Sequence, residues 1–193
     1  YSIEVFRESL DIDEIIIVCH SQWHDKLKNK YKNIKLVKGG KTRTDSSFNG
    51  LISCNKKCKY VLIHDAARPF ITVKLINDLL DNLKSNFDNI DAIITASNNN
   101  NSIYCSKQNK YLNRDQVKII QTPQAFKYRS ILNVYSQYMN QDITERKKFT
   151  DDLSLLLSLN KEAQYNFYIY NKFNIKITTL DDLNLFKGII NGV

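Results

Sequence analysis

A chain of 193 residues, 42% apolar and 25% charged, can bury one ordinary core, and nothing in its composition calls for a second domain. Its formal charge of +8 comes from lysines scattered through stretches such as Lys26–Lys32 and Lys56–Lys59. That charge is the sole support for a nucleic-acid partner, which is not expected because no aromatic-plus-basic motif accompanies it, and a phosphate-rich substrate is the other reason for cations. No apolar run reaches the about eighteen residues of a membrane span, and Glu4, Arg7 and Glu8 interrupt the start, so neither a membrane partner nor a secretory signal is expected.

In chain order, the opening residues read as a short piece of amphipathic helix. Glu14–Cys19 is a continuous apolar run, as in a strand buried on both faces. Ser21 is placed to cap a helix reaching about Tyr31, and Ile34–Val37 is a short strand closed by Gly39 and Gly40. A helix is expected from near Arg43 to Cys54, then a buried strand over Tyr60–His64 that ends in Asp65. Val73–Phe87 has the helical apolar spacing, with Val73, Leu75, Ile76, Leu79, Leu80 and Leu83 inward, and Ala92–Ala96 is the next strand. Such alternation predicts parallel strands with helices on both faces. The pattern then breaks. Asn98–Asn101 is a polar turn, and Ile103–Cys105 and Tyr111–Asn113 flank a Lys107–Lys110 loop, giving a hairpin arm at about 98–114. A strand over Val117–Gln121, helices over Lys127–Met139 and Asp151–Leu159, a strand over Phe167–Tyr170 and a helix over Leu180–Ile190 complete one domain over 1–193.

The segment His64-Asp65-Ala66-Ala67-Arg68-Pro69 follows a buried strand directly. In open α/β sheets ligands bind at the carboxyl ends of strands. There Asp65 can hold Mg²⁺, Ala66 and Ala67 allow close approach, and Arg68 can fork onto an anion. Gly39-Gly40-Lys41-Thr42-Arg43-Thr44-Asp45-Ser46 places two glycines before a helix start, where free N–H groups favour anions or polar bases. The spacing is not that of a P-loop. Arg114, Thr122 in Gln121-Thr122-Pro123-Gln124, Thr150-Asp151-Asp152 and Asn174-Ile175-Lys176-Ile177-Thr178 follow in order. Singly, each reads as a turn, a cap or a surface lysine. Cys54 and Cys58 lack a second pair at zinc spacing, and four scattered cysteines suit a reducing compartment. His20, His24 and His64 stand at neither triad nor metal spacing, and His64 reads as structural.

Together these motifs resemble those of the 2-C-methyl-D-erythritol 4-phosphate cytidylyltransferases of isoprenoid biosynthesis, over about Tyr1–Phe186. The resemblance implies a Rossmann-like, mostly parallel sheet of the nucleotide-diphospho-sugar transferase type, with a β-hairpin dimerisation arm. It implies a homodimeric cytoplasmic enzyme (plastid-type if the source is eukaryotic) that takes CTP and a sugar-alcohol phosphate with Mg²⁺ as cofactor. It assigns Gly40 and Ser46 to the cytosine and ribose, Asp65 to the triphosphate, metal and polyol, and Ala66 to substrate binding. Arg68 and Thr122 become substrate contacts, with Ser102 the hydroxyl retained in the arm's substrate grip. Arg114 and Thr150 would take the sugar-alcohol phosphate, with Arg114 lent to the neighbouring subunit, and Lys176 would lie between that phosphate and the α-phosphate of CTP.

Two departures stand out. The family's opening Ala-Ala-Gly-x-Gly-x-Arg loop and Pro-Lys-Gln have no counterpart in 1–193, and a chain truly lacking them is expected to be inactive. The family's Asp-Thr-Ile/Met-Lys aligns with Asn101-Ser102-Ile103-Tyr104, without the acid and the lysine. That change keeps ribitol 5-phosphate as an alternative acceptor, and the absent loop keeps a non-catalytic homologue as another alternative.

Overall fold

The computed structural model describes residues 1–192; Val193, the last residue of the expected domain, lies outside the described residues. Helix α1 (Ser2–Glu8) precedes strand β1 (Ile16–Cys19), helix α2 (His24–Lys30), strand β2 (Lys35–Lys38), helix α3 (Arg43–Ile52) and strand β3 (Tyr60–Ile63). Helix α4 (Val73–Ser85), strand β4 (Ala92–Asn98), the hairpin of β5 (Ile103–Cys105) and β6 (Lys110–Leu112), and the long strand β7 (Lys118–Lys127) follow. Helices α5 (Tyr128–Met139) and α6 (Asp152–Leu159), strand β8 (Tyr165–Ile169) and helix α7 (Leu180–Asn191) end the described chain.

Strands β3, β7, β4 and β8 form one sheet in that order, and β1 and β2 form a separate parallel pair. Parallel pairing holds for β1–β2 and β4–β8, but β7 runs antiparallel to both its neighbours. The sheet is therefore mixed, which strand–helix alternation alone does not show. Pro123 lies inside this central strand, where its missing N–H would break a ladder. A bulge absorbs it: the register with β4 shifts between Ile94 and Ala96, and the Thr95 hydroxyl donates to the Pro123 carbonyl.

The sheet sorts its side chains by alternation. Ala92, Ile94, Phe126, Val61 and Ile63 join a core with α3, α5 and α6, whereas Ile93, Ala125, Tyr60 and Leu62 join another with α1 and α4. Helix α4 buries Leu75, Ile76, Leu79, Leu80 and Leu83, as its spacing predicts, while Val73 is only half-buried. Each such buried side chain contributes about 1.5–3 kcal/mol, so the two faces hold the layers together.

Local readings differ in a few places. His20, not Ser21, caps the segment after β1, through a ring nitrogen that accepts from the Gln22 N–H, and that segment opens as a 3₁₀ turn. Asp151, not Thr150, is the N-cap of α6. Strands β1 and β3 are half-buried along their whole length, since among the described residues each has a paired neighbour on one edge only. Cys54 and Cys58 pack against the first core, and all four cysteines are free.

Candidate active site

The turn after β3 places the Asp65 carboxylate among three cations drawn from separate parts of the chain. Lys176 Nζ is 3.0 Å away, Arg43 Nε 3.6 Å and Arg68 Nε 3.8 Å. Burial alone would raise the Asp65 pKa, but Lys176, Arg43 and Arg68 outweigh it and hold the carboxyl below its usual range. It stays an anion at neutral pH.

The turn is held from below. Thr122, on β7, is 3% exposed, and its hydroxyl oxygen accepts from the Asp65 N–H at 3.0 Å. His64 Nε2 lies 3.0 Å from the Arg68 carbonyl, which can only accept, so Nε2 carries the proton. Nδ1 is then the acceptor for the Thr122 hydroxyl at 3.2 Å. Burial lowers the His64 pKa to about 4, so the ring is neutral and acts as a clasp, the structural part its sequence position suggests.

Lys176 arrives on a loop that is tied to the same turn. Ile177 N–H donates to the Ala67 carbonyl at 2.8 Å, and Arg68 Nη1 donates to the Asn174 carbonyl at 2.6 Å. The Asn174 amide donates to Gln121 Oε1 and to the Thr122 carbonyl. Asn174 is thus the brace that brings the Asn-x-Lys segment onto β7. Lys176 itself keeps 42% of its side chain exposed and is free to turn toward a ligand. Arg68 Nε is buried and has no hydrogen-bond partner among the described residues, the Asp65 carboxylate oxygen at 3.8 Å being too distant. A buried donor left unpaired is costly, and an oxygen ligand placed there would satisfy it.

The glycine loop lies against the start of α3. A Cβ on Gly40 would come within 2.2 Å of the Asp45 Cβ, so only glycine fits. The Gly40 N–H donates to Ser46 Oγ, which donates to the Thr42 carbonyl, while Thr42 and Asp45 form a capping box. Gly40 and Ser46 therefore share one rigid bend. Ala66 is exposed at the tip of the Asp65 turn.

Sequence profiles and relatives agree with this geometry. The profile of the 2-C-methyl-D-erythritol 4-phosphate cytidylyltransferase family matches residues 1–191. The chain belongs to that family. A relative of that name from Clostridioides difficile is 34% identical, covering 99% of this chain and 80% of the relative. Another from Dictyoglomus thermophilum is 35% identical, covering 99% and 84%. The crystal structure of a 4-diphosphocytidyl-2C-methyl-D-erythritol synthase from Anaerococcus prevotii superposes with a TM-score of 0.87 at 29% identity, covering 98% of this chain and 83% of that one.

Within the cytidylyltransferase fold, the residues singled out in the sequence fall into two groups. Asp65, Arg68, Lys176 and Thr122 meet directly, with Gly40, Ser46 and Ala66 on the bend and turn beside them. Arg114 and Ser102 belong to the arm. Arg114 is exposed, donates to the Asn100 carbonyl at 3.1 Å, and lines an open cleft of about 520 Å³ with Asn98, Asn99, Asp115 and Lys118. Thr150 is exposed just before α6. The sequence reading missed Arg43, Asp152, Tyr135 and Asn174 as parts of the site's frame. A cation at the first position of a helix was the available signal for Arg43, because the helix dipole disfavours it there.

Proposed function

We propose that this chain transfers the CMP portion of CTP to 2-C-methyl-D-erythritol 4-phosphate, giving 4-diphosphocytidyl-2-C-methyl-D-erythritol and pyrophosphate. The carrying observation is the convergence of Arg43, Arg68 and Lys176 on Asp65, beside a buried guanidinium N–H that lacks a partner. Counting Asp152, the group holds one more positive than negative charge, three cations against two carboxylates. That excess suits a site where phosphates meet.

An oxygen of the acceptor phosphate attacks the α-phosphorus of CTP in line. The new bond joins that oxygen to phosphorus, and the bond from the α-phosphorus to its bridging oxygen breaks as pyrophosphate departs. The chain's part is positioning and charge stabilisation. Lys176 leaves Asp65 for the oxygens between acceptor phosphate and α-phosphate. Arg68 offers its free Nε–H to a substrate oxygen. Gly40 and Ser46 receive the cytosine and ribose on a preformed bend. Thr150 and the arm's Ser102 and Arg114 take the acceptor, with Arg114 serving the neighbouring subunit of a homodimer.

Among the described residues no cluster of three or more His, Cys, Asp or Glu side chains could cage a metal. Mg²⁺ needs no cage, since it commonly takes one or two carboxylates and fills its shell with phosphate oxygens and water. Asp65, charged and partly accessible, fits as that one protein ligand. When bound, Mg²⁺ would neutralise charge on the triphosphate and the departing pyrophosphate.

The test uses the complete gene product and follows pyrophosphate release from CTP, UTP and ATP with methylerythritol phosphate or ribitol 5-phosphate as acceptor. CTP with methylerythritol phosphate should be preferred strongly, because UTP reverses the donor–acceptor pattern at the pyrimidine edge and leaves polar groups mismatched. Chelation should abolish turnover. Equal use of UTP, or preference for ribitol 5-phosphate, would overturn this reading.

A further inference from the structure

Arg43 adds its charge to the proposed site but has been given no substrate to touch, and its side chain is held by two carboxylates from separate parts of the chain. It occupies the first position of α3, where the helix dipole disfavours a cation. Two carboxylates offset this. Its Nη2 donates to Asp152 at 2.6 Å, and its Nε faces Asp65 at 3.6 Å. Asp152 is fully buried at the first position of α6, where a helix N-terminus favours an anion, and it also accepts from the Tyr135 hydroxyl. Tyr135 is itself fully buried on α5 and stacks on Phe48 of α3. A chain of contacts thus runs from the core through Tyr135, Asp152 and Arg43 to Asp65.

Granting the proposed transfer, we infer that Arg43 is a positioning residue. It fixes the Asp65 carboxylate against the Tyr135–Asp152 anchor, and so sets where Lys176 and Arg68 stand when substrate arrives. The planar guanidinium suits this because its separate N–H edges face two carboxylates at once, which a lysine ammonium cannot reproduce in the same geometry. Arg43 need not touch substrate to matter, since cations displaced by even an ångström lose much of their effect on a developing charge.

Variants of the complete gene product test this. Arg43→Gln should lower kcat by roughly ten- to a hundredfold while KM for CTP and for the acceptor change little, because the loss falls on the transition state. Arg43→Lys should not restore kcat. Arg43→Gln alone leaves Asp152 charged and buried without its cation, which weakens the fold. The decisive variant is therefore the double substitution Arg43→Gln with Asp152→Asn, which removes both charges. Its Tm should recover toward that of the parent while its kcat stays low. Tyr135→Phe, which keeps the ring and loses the hydroxyl, should lower kcat severalfold, and should add nothing further in the Arg43→Gln background. Recovery of kcat together with Tm in the double variant, or parental kcat in Arg43→Lys, overturns the inference. A parent protein that fails to use CTP and methylerythritol phosphate overturns the proposed function instead.

Discussion

Around Asp65, cations from three separated stretches of chain converge on one carboxylate, whereas the Arg114 guanidinium on the arm donates, among the described residues, only to the backbone carbonyl of Asn100 in its own arm. The cluster is braced from below by Thr122, His64 and Asn174. The arm presents Tyr104 and Tyr111, 51% and 73% exposed, with their rings edge-on to each other. One region is organised within a single chain and the other offers its groups outward. The cluster can therefore be preorganised before substrate binds, and the arm gains its meaning only from what it meets. The contrast supports the proposal that the chemistry lies in the first, and the proposal, taken from the family resemblance, that the second contributes to a neighbouring subunit.

The largest effect should come from the cluster's mobile member. Lys176→Ala should cut kcat by roughly a hundredfold or more, the range of a lost transition-state contact. Steady-state turnover on a variant with parental circular dichroism checks it. Near-normal turnover would remove Lys176 from the chemistry and dissolve the contrast between the two regions.

A smaller effect concerns the clasp beneath the cluster. Burial holds the His64 pKa near 4 in the folded protein, against about 6.5 when unfolded. The unfolded chain therefore binds a proton between these values that the folded chain does not. Stability from this group is complete above about pH 6.5 and is lost as pH falls toward 4, by up to about 3 kcal/mol. Denaturant unfolding across that window checks it, with His64→Asn as the comparison whose pH slope should be shallower. The arm, at about 98–114, contains no histidine, so its amide shifts should stay constant over the same window. An unchanged slope in His64→Asn would mean that the clasp does not carry the titration.

Much of this was legible in the chain. Apolar periodicity located α4, and continuous apolar runs located β1 and β3, although both strands are only half-buried. The direction of β7 was not legible, since alternation looks the same in parallel and antiparallel strands, and Pro123 suggested a turn because the bulge that accommodates it depends on β4. Asp65, Arg68 and Lys176 stood out through their motifs. Asp152 and Tyr135 did not. Asp152 read as part of a helix start and Tyr135 drew no notice inside its helix, and only the packing of α5 against α6 brings the hydroxyl to the carboxylate. Arg43 lay in plain view inside a motif, but its second carboxylate is 109 positions away in sequence.

The most direct test of the contrast between cluster and arm is complementation. Arg114→Ala should lower kcat/KM for the acceptor by roughly ten- to a hundredfold, as for a lost charge-assisted bond to phosphate. Lys176→Ala should be nearly inactive by itself. If Arg114 serves the neighbouring subunit, a mixed dimer of the two variants holds one site with both residues and one with neither. Mixed dimers should then show about half of parental activity, one of their two sites being intact. Measured at limiting acceptor on dimers purified with two different tags, that recovery is the result the account predicts. Mixed dimers with no activity above that of the separate variants would contradict it, and would place Arg114 and Lys176 in the site of one and the same chain.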